Sequence, residues 1–125
     1  MIPIPLASPL PDVIDFTLSG RSYRAPRVIA DGEMVTGRTM IVRAEEKKAT
    51  LGEEDGQWFL AHQDEINAQI PLERRGDIVF VFIDWLHPDG DGRIAGVYWR
   101  DGAWKRGWGG LYFGSMGHRP VGRIA

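Results

Sequence analysis

Residues Asp77–Trp85 are apolar at both parities, with Ile78, Phe80 and Phe82 on one side and Val79, Val81 and Ile83 on the other. A strand with two apolar faces needs cover on both, so the run predicts a central strand. Two further strands follow, Arg93–Arg100 and Ala103–Trp108, joined by Asp101-Gly102. That dipeptide is the strongest short hairpin signal, because both turn residues need positive φ. A two-residue loop there pairs Arg100 with Ala103, Trp99 with Trp104, and Val97 with Arg106. Side chains alternate along a strand. One face therefore carries Ala95, Val97, Trp99, Trp104, Arg106 and Trp108, and the other Tyr98, Arg100, Ala103 and Lys105. The indole-rich face is expected to lie beneath helices, and the half-charged face to be wetter.

Helical spacing appears in the middle of the chain. Met40, Ile41, Ala44 and Lys48 fit one helix face, with Thr36 as N-cap and Val35 as a hydrophobic staple. This predicts a helix over about 37–48. Thr50-Leu51-Gly52-Glu53 reads as a capping box, and Glu53, Glu54 and Asp55 place negative charge where a helix N-terminus favours it. Leu51, Trp58, Phe59, His62 and Ile66 then predict a second helix over about 51–66. Joined at Ala49-Thr50, the two helices are expected to form a hairpin-like pair.

Shorter runs complete the pattern. Val13–Leu18, Ser19-Gly20 and Arg21–Arg24 predict a small hairpin, and Arg27–Ala30 a further strand stopped by Asp31-Gly32. Leu111–Phe113 and Val121–Ile124 are expected to add one or two more strands. Residues 1–12 begin MIPIPLASPLP, with Pro3, Pro5, Pro9 and Pro11 favouring an extended arm that cannot sit in a central strand. Its apolar residues Ile2, Ile4, Leu6 and Leu10 call for a surface on their own domain or on a second subunit.

Together these elements predict an α+β fold. Two adjacent helices pack on one face of an antiparallel sheet of about four to six strands, in a single domain over 13–125 that follows the arm.

Composition changes the functional picture mainly by exclusion. The chain has 125 residues and no cysteine, which removes disulfides, thiolate catalysis and Cys-zinc sites. The apolar run Ile78–Ile83 is far short of the ~20 residues of a membrane helix, and the early prolines break any signal-peptide core. A soluble, cytoplasmic protein is expected. Charge is uneven: twelve acids face Lys47, Lys48, Arg74 and Arg75 between Glu45 and Asp91, whereas the chain from Arg93 onward is basic apart from Asp101.

Candidate chemistry is sparse. His87, Asp89 and Asp91 alternate before Gly92, but a calcium loop wants an oxygen ligand first and a glutamate twelfth, where this chain has His87 and Tyr98. Turn chemistry explains the run, and no metal or cofactor is expected. Ser115 lacks the spacing of a nucleophile elbow, Gly107-Trp108-Gly109-Gly110 lacks the context of a phosphate loop, and the residues reproduce no motif of a named family. The leading expectation is a small non-enzymatic binding or assembly protein that self-associates through Ile2, Ile4, Leu6 and Leu10. A ligand-binding or catalytic cleft between helices and sheet would use Asp84, His62 and Arg106. A nucleic-acid module would use Tyr98, Arg100 and Lys105 on the outer sheet face.

Overall fold

The computed structural model describes residues 10–110, 112–114 and 117–124. The elements in chain order are β1 (Val13–Leu18), β2 (Arg21–Pro26), β3 (Met34–Thr36), α1 (Gly37–Glu46), α2 (Glu53–Ala61), α3 (Gln63–Asn67), a 3-10 helix (Leu72–Asp77), β4 (Val79–Leu86), β5 (Ile94–Arg100), β6 (Ala103–Gly109), β7 (Tyr112–Gly114), β8 (His118–Pro120) and β9 (Gly122–Arg123). The fold is α+β. Strand order is β1-β2-β9 in one sheet and β6-β5-β4-β8 in another, with β3 and β7 forming a separate ribbon.

Both tight hairpins form as the turn residues require. Ser19 and Gly20 have φ of 46° and 86°, and Asp101 and Gly102 have 52° and 80°, the two successive positive values of a type I′ turn. Trp99 pairs with Trp104 across the ladder, and Val97 with Arg106. Trp104 is 2 % exposed, and Trp99 is half-buried against the same core. The two indoles meet edge-on with ring centroids 5.6 Å apart.

The helices do not sit together on one face. Alternation along β4 splits the interior into two clusters. Ile78, Phe80 and Phe82 join Phe16, Tyr23, Phe59 and Trp104 beneath α2 and α3. Val81 and Ile83 join Met40 and Ala44 of α1, with Phe113 of β7. Each face of the doubly apolar strand thus has its own helical cover. The link between α1 and α2 is a crossing, not a helix-hairpin turn. Leu51 donates its N–H to Val121 O and accepts from the N–H of Asp84, and Gly52 bridges Asp84 in parallel. This backbone pairing occupies the segment expected to form a capping box. Helix α2 therefore starts at Glu53 with Gly52 as N-cap and no side-chain cap. It also stops earlier than expected, at Ala61. His62 leaves helical geometry (φ −122°, ψ 39°), its Nδ1 2.7 Å from Trp58 O, and α3 begins after it.

Three further expectations change. Residues 27–30 are loop, although Ile29 is buried. Met34–Thr36 is an additional strand, paired with β7. The sheet is not wholly antiparallel, because β8 runs parallel to β4, pairing Phe80 with Arg119.

The two sheets enclose the larger cluster. On one side β8 and β9 are continuous through Val121, whose N–H donates to Val81 O. On the other side α3 fills the gap between the free edges of β1 and β6. The Gln69 amide accepts from Thr17 N–H and donates to Thr17 O. The Gln63 amide does the same for Trp104, and the Trp104 indole N–H donates to Asn67. Two glutamine side chains thus imitate a missing strand and cover edges that would otherwise present unpaired backbone.

Candidate functional site

A cleft of about 440 Å³ opens where the 3-10 helix, the loop after β2 and the start of β8 converge. Its most unusual component is Arg119. As the register partner of Phe80, Arg119 points to the core side of the sheet and is 4 % exposed. A buried charge normally acquires a carboxylate partner. Among the described residues, no carboxylate lies within ion-pair distance of Arg119. Its Nη1 instead donates to two backbone carbonyls, Asp12 O at 3.3 Å and Ala25 O at 3.2 Å. These bonds tie β8 to β2 and fix the side chain.

Both Nη1 protons are spent in this way. The Nε–H and Nη2–H edge has no partner among the described residues. Among the described residues no fully buried side-chain nitrogen or oxygen is left without a hydrogen bond, so this edge keeps some contact with solvent, and Arg119 lines the cleft. Burial lowers the Arg119 guanidinium to about 10; the neighbouring Arg27 pushes the same way, while Asp12 pulls weakly upward. The group is held with part of its solvation removed and no anion in exchange.

The other charges of the cleft come in pairs. Arg27 is bonded to Asp31 and stands 3.8 Å from Asp12. Arg74 Nε donates to Asp77 at 3.2 Å. The Asp12 side chain is 90 % exposed and stands outside the cleft. His118 lines the opening, its Nδ1–H donating to Gly114 O at 3.2 Å. Burial holds His118 below the usual imidazole range, against a smaller upward effect of that bond. Leu10 and Ile29 supply apolar wall. Gly76 lies on the rim, where a Cβ would meet nothing within 4 Å.

The side chains singled out from sequence are scattered. Asp84 is exposed. Its parity predicts an inward position, but β4 shifts register between Phe82 and Leu86, and Trp85 takes the core place. His62 sits at the junction of α2 and α3, its ring 4.2 Å from that of Trp58. Arg106 lies exposed over the rings of Trp108 and Trp85, at 4.3 and 5.8 Å. The 440 Å³ cleft contains none of the three. Tyr98 lies half-buried over Gly107 on the outer sheet face. Beside it Arg100 is exposed and Lys105 stands 3.7 Å from Asp101. Leu10 packs on its own core, whereas Ile2, Ile4 and Leu6 lie outside the described residues.

Two other polar clusters have internal explanations. His87, Asp89 and Asp91 bring ligand-type atoms within 4.8 Å of one another. A cation is already there: Arg93 donates to Asp91 through Nε at 2.6 Å, and its Nη2 lies 3.3 Å from His87 Nε2. Asp55 is buried at the start of α2. It accepts from Tyr23 OH at 2.7 Å and from Arg21 and Arg123 at 3.3 and 3.4 Å, which pins the helix to β2 and β9. Burial and then the bond to Asp55 push the Tyr23 phenol up to about 12.

No protein-family model matches the chain, and neither does any curated protein or solved structure. The functional reading therefore rests on the cleft itself. Sequence reasoning placed Arg119 only within a basic C-terminal stretch. His118-Arg119-Pro120 has no periodicity that marks a core-facing arginine, and the position follows from a pairing with Phe80 that no local pattern announces.

Proposed function

We infer that this protein is a non-enzymatic binding domain for a small anionic ligand, seated in the cleft beside Arg119. One observation carries the reading: a guanidinium 4 % exposed, fixed by two carbonyls, with no carboxylate partner among the described residues, in the lining of a cleft of about 440 Å³. The volume falls in the usual range for small-molecule sites, roughly 300–1,000 Å³. Among the described residues that line the cleft, none form a nucleophile–base pair, and His118 spends its Nδ1–H on Gly114. Binding is the chemistry that these groups support.

A ligand that binds only the native form raises the melting temperature. Thermal unfolding in sodium phosphate and in sodium salts of small carboxylic acids, at matched ionic strength, tests the reading against sodium chloride and neutral amides. Anions should raise the melting temperature, and Gly76→Trp, which grows a side chain into open space at the rim, should cancel the gain. Equal stabilisation by neutral amides, or a gain that survives Gly76→Trp, would count against the cleft.

A second reading is self-association. Met34 and Tyr112 are 70 % and 64 % exposed on the β3–β7 ribbon, and Val42 of α1 is 48 % exposed nearby. These three offer apolar surface to a second copy, and Ile2, Ile4 and Leu6 are further apolar residues in the sequence. Deleting residues 1–8 spares Leu10. Sedimentation of that truncation beside Met34→Ser/Tyr112→Ser decides the matter: a smaller species supports assembly, and unchanged sedimentation of both removes it.

A further inference from the structure

We propose that the cleft ligand is a monocarboxylate with a short apolar body, held side-on by the Nε–H and Nη2–H edge of Arg119. This deepens the anion-binding reading and rests on it. Three observations narrow the class.

The first is the shape of the free edge. With Nη1 tied to Asp12 O and Ala25 O, three of the five donors remain, and two of them, Nε–H and one Nη2–H, form a parallel pair along one side of the guanidinium. Two parallel donors in a plane match the two oxygens of a carboxylate. The carbonyl bonds hold the plane before any ligand arrives, so little side-chain freedom is lost on binding.

The second is charge. Among the cleft's lining side chains, Arg27 is offset by Asp31 and Arg74 by Asp77. Arg119 alone lacks a carboxylate. One negative charge completes the balance, whereas a second would face Asp31 and Asp77 across the cleft. Burial holds His118 below the usual imidazole range, which disfavours a second cation there. The third is the apolar wall. Leu10 is half-buried and lines the same cleft as Arg119, so the ligand body has an apolar surface to rest on.

The test is calorimetric titration of the full chain at low salt and neutral pH. The probes are butyrate, its neutral counterpart butyramide, succinate and inorganic phosphate. Butyrate should bind, butyramide should not, and succinate and phosphate should bind about tenfold more weakly or worse. Arg119→Lys keeps the charge but loses the paired donors, and should weaken butyrate by about tenfold. Gly76→Trp adds bulk to the cleft lining without replacing Arg119, and gives the answer should Arg119→Lys fail to fold. Phosphate or succinate binding as tightly as butyrate overturns the monocarboxylate assignment and leaves the anion reading standing. Binding of butyrate that persists in Gly76→Trp also overturns it. Absence of binding by all three anions overturns both.

Discussion

The side-chain amide of Gln69 pairs with both backbone groups of Thr17, accepting its N–H at 3.0 Å and donating to its carbonyl at 2.8 Å. The same Nε2 also reaches Glu65 O. A side chain from the turn after α3 thus completes a ladder that β1 leaves open. Gln69→Leu preserves bulk and removes the bonds. Leaving a buried donor or acceptor unsatisfied costs about 1–3 kcal/mol, and Thr17 is only partly buried. Urea unfolding should show a loss of about 1–2 kcal/mol with an unchanged slope. The uncovered β1 edge should also raise aggregation at high protein concentration. A midpoint equal to wild type would mean that water replaces the glutamine at no cost.

Gly56 and Trp85 set a second constraint. A Cβ on Gly56 would lie 2.4 Å from Trp85 Cε3. Alanine gains up to about 1 kcal/mol of helix propensity over glycine, while forcing a methyl into a filled core costs about 1–3 kcal/mol. Trp85 is held by Phe82 and Trp108 at ring-centroid distances of 6.4 and 6.1 Å, so it cannot swing away cheaply. Gly56→Ala should be net destabilising by denaturant melt. A more stable variant would show that α2 slides to absorb the methyl.

Much of this architecture is legible in the sequence, and the failures share a cause. The doubly apolar run at β4 and the Asp101-Gly102 hairpin follow from local rules, because alternation and turn geometry act within a few residues. The crossing at Leu51 does not. Thr50 to Glu53 satisfies a capping pattern locally, yet Leu51 pairs with Asp84 and Val121, partners distant in the chain. That pairing sends α1 and α2 to opposite faces of β4. Arg119 is illegible for the same reason: only its parallel pairing with Phe80 turns a basic terminal residue inward. Asp84 fails through a register shift, which strand periodicity alone does not foresee.

Alkaline titration probes the Asp55 anchor. The Tyr23 phenol is raised to about 12 from an ordinary 10.0, so the unfolded chain loses that proton first. Its contribution to stability is complete below pH 10 and is lost as pH rises toward about 12. Ultraviolet titration should resolve a late-ionising tyrosine that disappears in Tyr23→Phe. A titration in which Tyr23→Phe removes an ordinary tyrosine would show that Asp55 and burial do not act as described.

Acid titration probes the loop beside α1. Glu33 is held at about 2, first by Arg43, which donates to both carboxylate oxygens at 2.7 and 2.9 Å, then by the N–H of Ala30. A depressed carboxyl stabilises the fold above its ordinary value of 4.5, and the benefit fades as pH falls toward 2. Glu33→Gln should flatten the stability profile between those limits. Identical profiles in the two proteins would remove the ion pair from the account.

In the proposed complex Arg119 presents its Nε–Nη2 edge to an anion in the cleft. Arginine side-chain N–H resonances, assigned with Arg119→Lys and followed during a butyrate titration, test it most directly. The Arg119 Nε–H signal should move furthest, together with the backbone amides of Gly76 and Gly117, while Arg21, Arg106 and Arg123 stay in place. Movement centred on those three arginines, with Arg119 unchanged, would rule this binding mode out.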